Sequence, residues 1–226
     1  MKGVLTARSK TSRRRRERSR VPTIDHRAQN MSVGVKYLQP LILMEEDTGI
    51  VHVDADLIEV SGDKLDVEEC IGMIRAVIID PYEMAERFGL DVHEACLVEN
   101  EDLDRFVSAF FDFEDCTNFQ SEMKRFFEYP FGRTLYIARI EIVDKSRGRG
   151  LSLPFLERAI DLLAPGCHAV VMYPCAFGGE AGDEASERLS KHYGRIGFVK
   201  LGDTGYVGRD PVRNHPRAVL AGRYAP

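Results

Sequence analysis

"IEIVDKSRGRGLSLPFLERAIDLL", residues 140–163, decides the fold. Its left end closes a β-branched run, TLYIARIEIV (134–143), that reads as a strand. Its right end puts Leu153, Leu156, Ile160 and Leu163 on one helical stripe. Pro154 falls in the first turn of that helix, where a missing N–H costs nothing. Between strand and helix, Gly148 and Gly150 alternate with Arg147 and Arg149. A glycine in a regular element costs roughly 0.5–1 kcal/mol of order, so bare backbone here needs a reason. A helix leaves about four N–H groups of its first turn without partners, and its dipole adds roughly half a positive charge there. Phosphate is the natural guest. Glycines without a Cβ let phosphate oxygens approach the backbone, and the arginines add charge and the geometry for bidentate contact.

Two familiar phosphate motifs are excluded. A dinucleotide fingerprint needs GxGxxG, but Leu153 stands at the third glycine position. No GxxxxGK[ST] run exists either. The alternative is a tight strand-to-helix connection with no ligand.

Working outward, HAVVMYP (168–174) reads as a buried strand and EASERLSKHYGRI (184–196) as a helix. GFVKL and TGYVGRD read as two closing strands. Upstream, the patterning from 36 to 60 favours strands: YLQPLILMEED turns at Asp47-Thr48-Gly49 into IVHVDADLIEV. There Val51, Val53, Ala55 and Leu57 alternate with His52, Asp54, Asp56 and Ile58. IGMIRAVIID (71–80) is a third strand ended by Pro81, and YEMAERFG a short helix stopped by Gly89. NEDLDRFVSAFFDF (100–113) is a stronger helix, capped by Asn100 and with acids at 101, 102 and 104 facing its positive end. NFQSEMKRFFEY (118–129) is expected to be another helix, ended by Pro130 and Gly132.

Composition bounds the function. No apolar run is long enough to span a membrane as a helix, and the basic N-terminus lacks the apolar region of a secretory signal. Cys70, Cys96, Cys116, Cys167 and Cys175 contain no CxxC pair, and no two of the six histidines have HxxxH spacing. Neither a disulfide framework nor a metal site is expected, and a cytoplasmic protein is. Residues 1–30 hold ten Lys or Arg against two acids, a balance of +8; the rest of the chain carries −13. The segment 1–30 is therefore read as a disordered basic tail or a misassigned leader, and 31–226 as a single domain. Nucleic acid is a partner only through that tail; a homodimer is left open.

RGRGLS (147–152) resembles motif A of the GCN5-related N-acetyltransferases (GNAT), [QR]-x-x-G-x-[GA], with Ser152 where Gly or Ala is usual. LSKHYGRIGFVKL (189–201) resembles the family's later signature, with Tyr193 and Gly197-Phe198 in place. The resemblance covers 134–208 well and 33–130 loosely. It implies an α/β fold with a mixed, mostly antiparallel sheet splayed at its two central strands and flanked by helices. Residues 31–133 would form the acceptor-side half and 134–226 the acyl-CoA-binding half. It further implies that Arg147, Gly148, Arg149, Gly150, Leu151 and Ser152 supply N–H groups to the pyrophosphate of coenzyme A. Ile142 and Val143 would pair their backbone with the pantetheine arm, Ser186 would lie near the cofactor, and Tyr193 would protonate the departing thiolate.

The implied activity is transfer of acetyl from acetyl-CoA to a primary amine by direct attack. An attacking amine must be neutral, so a carboxylate or a water it orients takes its proton. Glu141, the one acid inside the central strand, is the candidate base; Arg139 on the same face offers it a salt bridge instead. Glu99 and Asp102 are the alternatives, Asp80 and Arg75 are candidate acceptor-side residues, and His192 is unassigned. The acceptor is a small molecule or protein amine, which an acidic body favours if it is basic. The rival activity is an acyl-CoA-binding sensor or interaction module of the same fold, without turnover.

Overall fold

The computed structural model describes residues 31–37, 49–60, 68–175 and 183–212. The run expected over 37–47 falls mostly outside them, as does the basic tail.

Seven strands form one sheet in the order β1-β2-β3-β4-β5-β7-β6. The first three, β1 (Met31–Tyr37), β2 (Ile50–Val60) and β3 (Glu68–Ile79), make an antiparallel meander that continues antiparallel into β4 (Thr134–Ile142). β5 (Ala169–Met172) is parallel to β4, and β7 (Val207–Arg209) and β6 (Val199–Lys200) close the far edge antiparallel. A parallel neighbour needs a crossover, and α4 (Ser152–Leu163) supplies it. The sheet is mixed and mostly antiparallel, as expected.

Alternation along each strand gives the sheet two apolar faces. On one, Val53, Ala55, Leu57, Ile74, Leu135 and Ile137 pack under Phe155, Leu156, Ala159 and Ile160 of α4 and under α5 (Asp183–Gly194). On the other, Val77, Ile79, Tyr136 and Val171 pack under α2 (Val92–Glu99) and α3 (Glu101–Phe110). Asn100 caps α3 as expected, accepting from Leu103 N at 2.9 Å. The short helix after Pro81 is one α-turn, α1 (Pro81–Glu83), running into a π-turn over Met84–Phe88 that Gly89 ends in the left-handed region at φ 64.

Two expectations are corrected. Residues 118–129 are not a helix but turns with a short 3-10 segment at Lys124–Phe126. Their Phe119, Met123 and Phe127 do point inward, but the start of the segment is tied across to other segments, and only Gln120 to Phe126 bond along the chain. Phe119 N donates to Pro130 O, and Gln120 N to Phe110 O. The α2 helix was not foreseen, because Leu97 and Val98 are exposed and break the stripe that would announce it.

Candidate functional site

β4 ends at Ile142, and a 3-10 turn at Asp144–Ser146 leads into the glycines. Gly148 and Gly150 hold φ 76 and 75, the left-handed region where an L side chain is strained. A Cβ built at either would meet nothing within 4 Å. The glycines therefore serve backbone twist and an open approach, not close packing. Gly150 in positive φ followed by Leu151 at φ −78, ψ −25 is a left-handed to right-handed succession, the backbone pattern of which anion-binding nests are made. No side chain caps α4. Ser152, at its first position, places its Oγ 3.0 Å from His192 Nε2 on α5 instead. Among the described residues no backbone carbonyl accepts from the N–H of Gly148, Arg149 or Gly150.

The arginines are differently used than expected. Arg149 makes a two-toothed pair with Glu59 of β2, 2.6 and 3.2 Å, which holds the Glu59 carboxyl below its ordinary range. Arg147 pairs with Asp144 at 2.9 Å and donates from Nε to Ile142 O at 3.0 Å. Both guanidiniums brace the turn, so what the turn itself offers an anion is mainly backbone.

The second half of the site is a gap in the sheet. β4 and β5 pair only from Thr134↔Ala169 to Ile137↔Met172, while β4 runs on to Ile142 against β3 alone. Ala138 is an extra residue in the β3–β4 register, a bulge at the point where the strands part. Val143 N donates to Ile71 O, so Val143, Glu141 and Arg139 turn their backbone groups to β3. Ile140 and Ile142 turn theirs into the gap. Val143 also accepts from Ser146 N, so its backbone is taken on both sides, and of Ile142, whose backbone faces the gap, the carbonyl already accepts from Arg147 Nε.

A cavity of about 260 Å³ fills this gap, and it crosses the sheet. Toward α5 it is lined by Ile137, Met172 and Tyr193, and toward α3 by Asp102, Arg105, Tyr136 and Tyr206. Tyr193 is 7% exposed, its ring 6.2 Å from that of Phe198, and burial raises its hydroxyl pKa. Tyr206 is pushed up to about 12 by burial and Tyr136 is raised by burial as well. His192 is lowered by burial and, second, by Arg195. The Ser152–His192 contact ties the start of α4, just after the glycine turn, to the last turn of α5, one residue from the cavity-lining Tyr193.

Of the other expected residues, Ser186 lies seven residues before Tyr193 on α5 and so shares its face. Glu141 does not line the cavity: it stands on the α3 side of the sheet, ion-paired with Arg139. Glu99 contacts His52 Nε2 at 2.7 Å. Asp80 caps α1 and holds Arg133 at 2.8 Å, at the opposite end of β3 from the glycine turn, and Arg75 lies 3.8 Å from Asp54. None of these three lines the cavity; Asp102 does. Sequence reasoning missed Tyr136, Tyr173 and Tyr206, which come from separate strands and loops. Among the described residues there is no group of three or more potential metal ligands and no helix long and apolar enough to cross a membrane.

No family model and no curated protein matches the sequence. Among solved structures, similar chains include the KacTA–DNA complex (10% identity, 84% of this chain and 99% of that one, TM-score 0.43). AtaTR bound with AcCoA is another (8%, 85% and 99%, 0.41), and so is Arabidopsis thaliana NAA60 in complex with a bisubstrate analogue (16%, 74% and 85%, 0.36). Likenesses this distant carry no weight in assigning activity to this chain.

Proposed function

We propose that this chain is a GNAT-type N-acyltransferase that moves an acetyl group from acetyl-CoA to a primary amine inside the β4/β5 gap. The observation that carries the reading is the cavity in the β4/β5 gap with the buried Tyr193 on its wall, beside a strand-to-helix turn whose two glycines leave its backbone open.

The residues present fit the cosubstrate. The N–H groups of Gly148 to Leu153 at the start of α4 would hold the pyrophosphate, and the open space over both glycines admits it. The backbone of Ile140 and the N–H of Ile142 would pair with the amide arm as an added strand does, the Ile142 carbonyl being held by Arg147. Bound there, acetyl-CoA supplies an activated acyl group. The amine enters from the α3 side in its neutral form, forms the C–N bond as the C–S bond breaks, and loses its extra proton to water at that opening. Tyr193 holds the proton the leaving sulfur needs. Burial, by raising its pKa, keeps that hydroxyl protonated at neutral pH.

Release of free thiol from acetyl-CoA, followed across a panel of primary amines, tests the reading. Tyr193→Phe should lower kcat on the order of 10²-fold with little change in KM for acetyl-CoA. A folded parent that releases no thiol with any amine, or a variant as fast as the parent, contradicts it.

A further inference from the structure

We infer that the α3-side mouth of the cavity is a subsite for a second positive charge on the acceptor, with the Asp102 carboxylate as counter-ion and the rings of Tyr173 and Tyr206 as walls. The inference rests on the acyl-transfer reading and names its acceptor by class: an amine that carries another cationic group a few carbons from the reacting nitrogen.

The cavity has two ends of different chemistry. Its α5 end is apolar apart from Tyr193, while its α3 end brings together the Asp102 carboxylate, the guanidiniums of Arg105 and Arg139, and three phenol rings. Tyr206 is 6% exposed and Tyr173 47%, with ring centroids 5.4 Å apart at 67°, so two faces meet at a corner and one of them is open to solvent. That corner is built deliberately. Gly205 holds φ 81, and a Cβ there would stand 2.9 Å from Tyr173 Cε2, so the ring rests on bare backbone. Tyr206 is fixed in turn by its N–H to Thr204 Oγ1 at 3.2 Å, while Thr204 Oγ1 donates to Leu201 O at 2.7 Å. Aromatic faces held open at a corner attract cations within about 6 Å.

Charge selects the same guest. The first turn of α3 presents Glu101, Asp102 and Asp104 against the single Arg105. Arg105 lies 2.9 Å from Glu101 and 3.7 Å from Asp102, so its charge is directed chiefly to Glu101. Arg139, which lines the cavity with Arg105, is ion-paired with Glu141, so with these partners counted the α3 end holds the carboxylates of Glu101, Asp102 and Glu141 against two guanidiniums. The reacting nitrogen must itself be neutral, so a counter-ion at the mouth serves a second nitrogen that stays protonated.

Three probes of matched length separate the cases: 1,4-diaminobutane, n-butylamine and 4-aminobutanoate. The diamine should show kcat/KM roughly fivefold or more above n-butylamine, with 4-aminobutanoate poorest. Asp102→Asn should bring the diamine to within about twofold of n-butylamine through KM, leaving acetyl-CoA affinity in place. Tyr173→Leu should reduce the diamine advantage in the same direction. Calorimetric titration of the diamine into parent and Asp102→Asn protein reads the subsite without turnover. Diamine binding lost in the variant supports the subsite even if no amine releases thiol, an outcome that would remove the reaction alone. A preference for 4-aminobutanoate, or a diamine advantage and affinity unchanged in Asp102→Asn, overturns the inference.

Discussion

Tyr193 and His192 are neighbours on one turn of α5 and do different work. Tyr193 was legible in the sequence because a local run, HYGRIGF, fixes its setting. His192 was not, because its partner Ser152 is forty residues away and the pair exists only once α4 and α5 pack side by side. Ser152 stands where the motif it resembles has Gly or Ala, and its hydroxyl finds a partner in His192. Burial and Arg195 lower the His192 pKa below its ordinary 6.5, so the folded protein favours the neutral ring. The unfolded chain then binds more protons over the interval between the two values. Stability from this residue is complete above pH 6.5 and is lost as pH falls below it through the folded value. Between pH 7.5 and 5.5 the parent should therefore lose more Tm than His192→Gln does. An equal or larger loss in the variant would contradict this. The three cavity tyrosines escaped sequence reading for the same reason as the histidine pair: no local pattern joins positions 136, 173 and 206.

Elements whose burial repeats regularly were legible, and those held by long-range ties were not. β2 alternates from Val51 to Leu57 and was foreseen at its observed bounds; α3 has both its stripe and its Asn100 cap. The segment 118–129 has inward residues at helical spacing, yet it bridges Phe111 through Phe119 and Phe131 through Asn118, which holds its start extended. The bulge at Ala138 has no sequence signature either, although it shifts the register where the sheet opens. α3 carries one wall of the cavity, and Phe106 anchors it: its ring stacks on Tyr136 at 4.4 Å and 9° and meets Tyr206 edge-on at 5.7 Å. Phe106→Ala should cost about 3–5 kcal/mol in denaturant unfolding and loosen the packing behind both tyrosines. A loss under about 1 kcal/mol would mean that α3 is held elsewhere.

At the scale of the whole molecule, one sheet separates two cores and is breached at a single pair of strands. Above the breach lies the glycine turn, braced by Arg149 on Glu59 and by Lys145 on Glu69. Below it lies the corner of tyrosines and Asp102. The central claim is that acyl-CoA lies on the upper side, its phosphates on the nest around Gly150. Calorimetric titration of acetyl-CoA into the full chain, beside Gly150→Asn and Gly150→Asp, tests this most directly. Asn and Asp fill nearly the same volume and both tolerate positive φ, so the two variants differ chiefly in charge. The account predicts micromolar binding to the parent, and affinity at least roughly tenfold weaker in Gly150→Asp than in Gly150→Asn. A folded parent that binds no acetyl-CoA, or two variants that bind it equally, would contradict it.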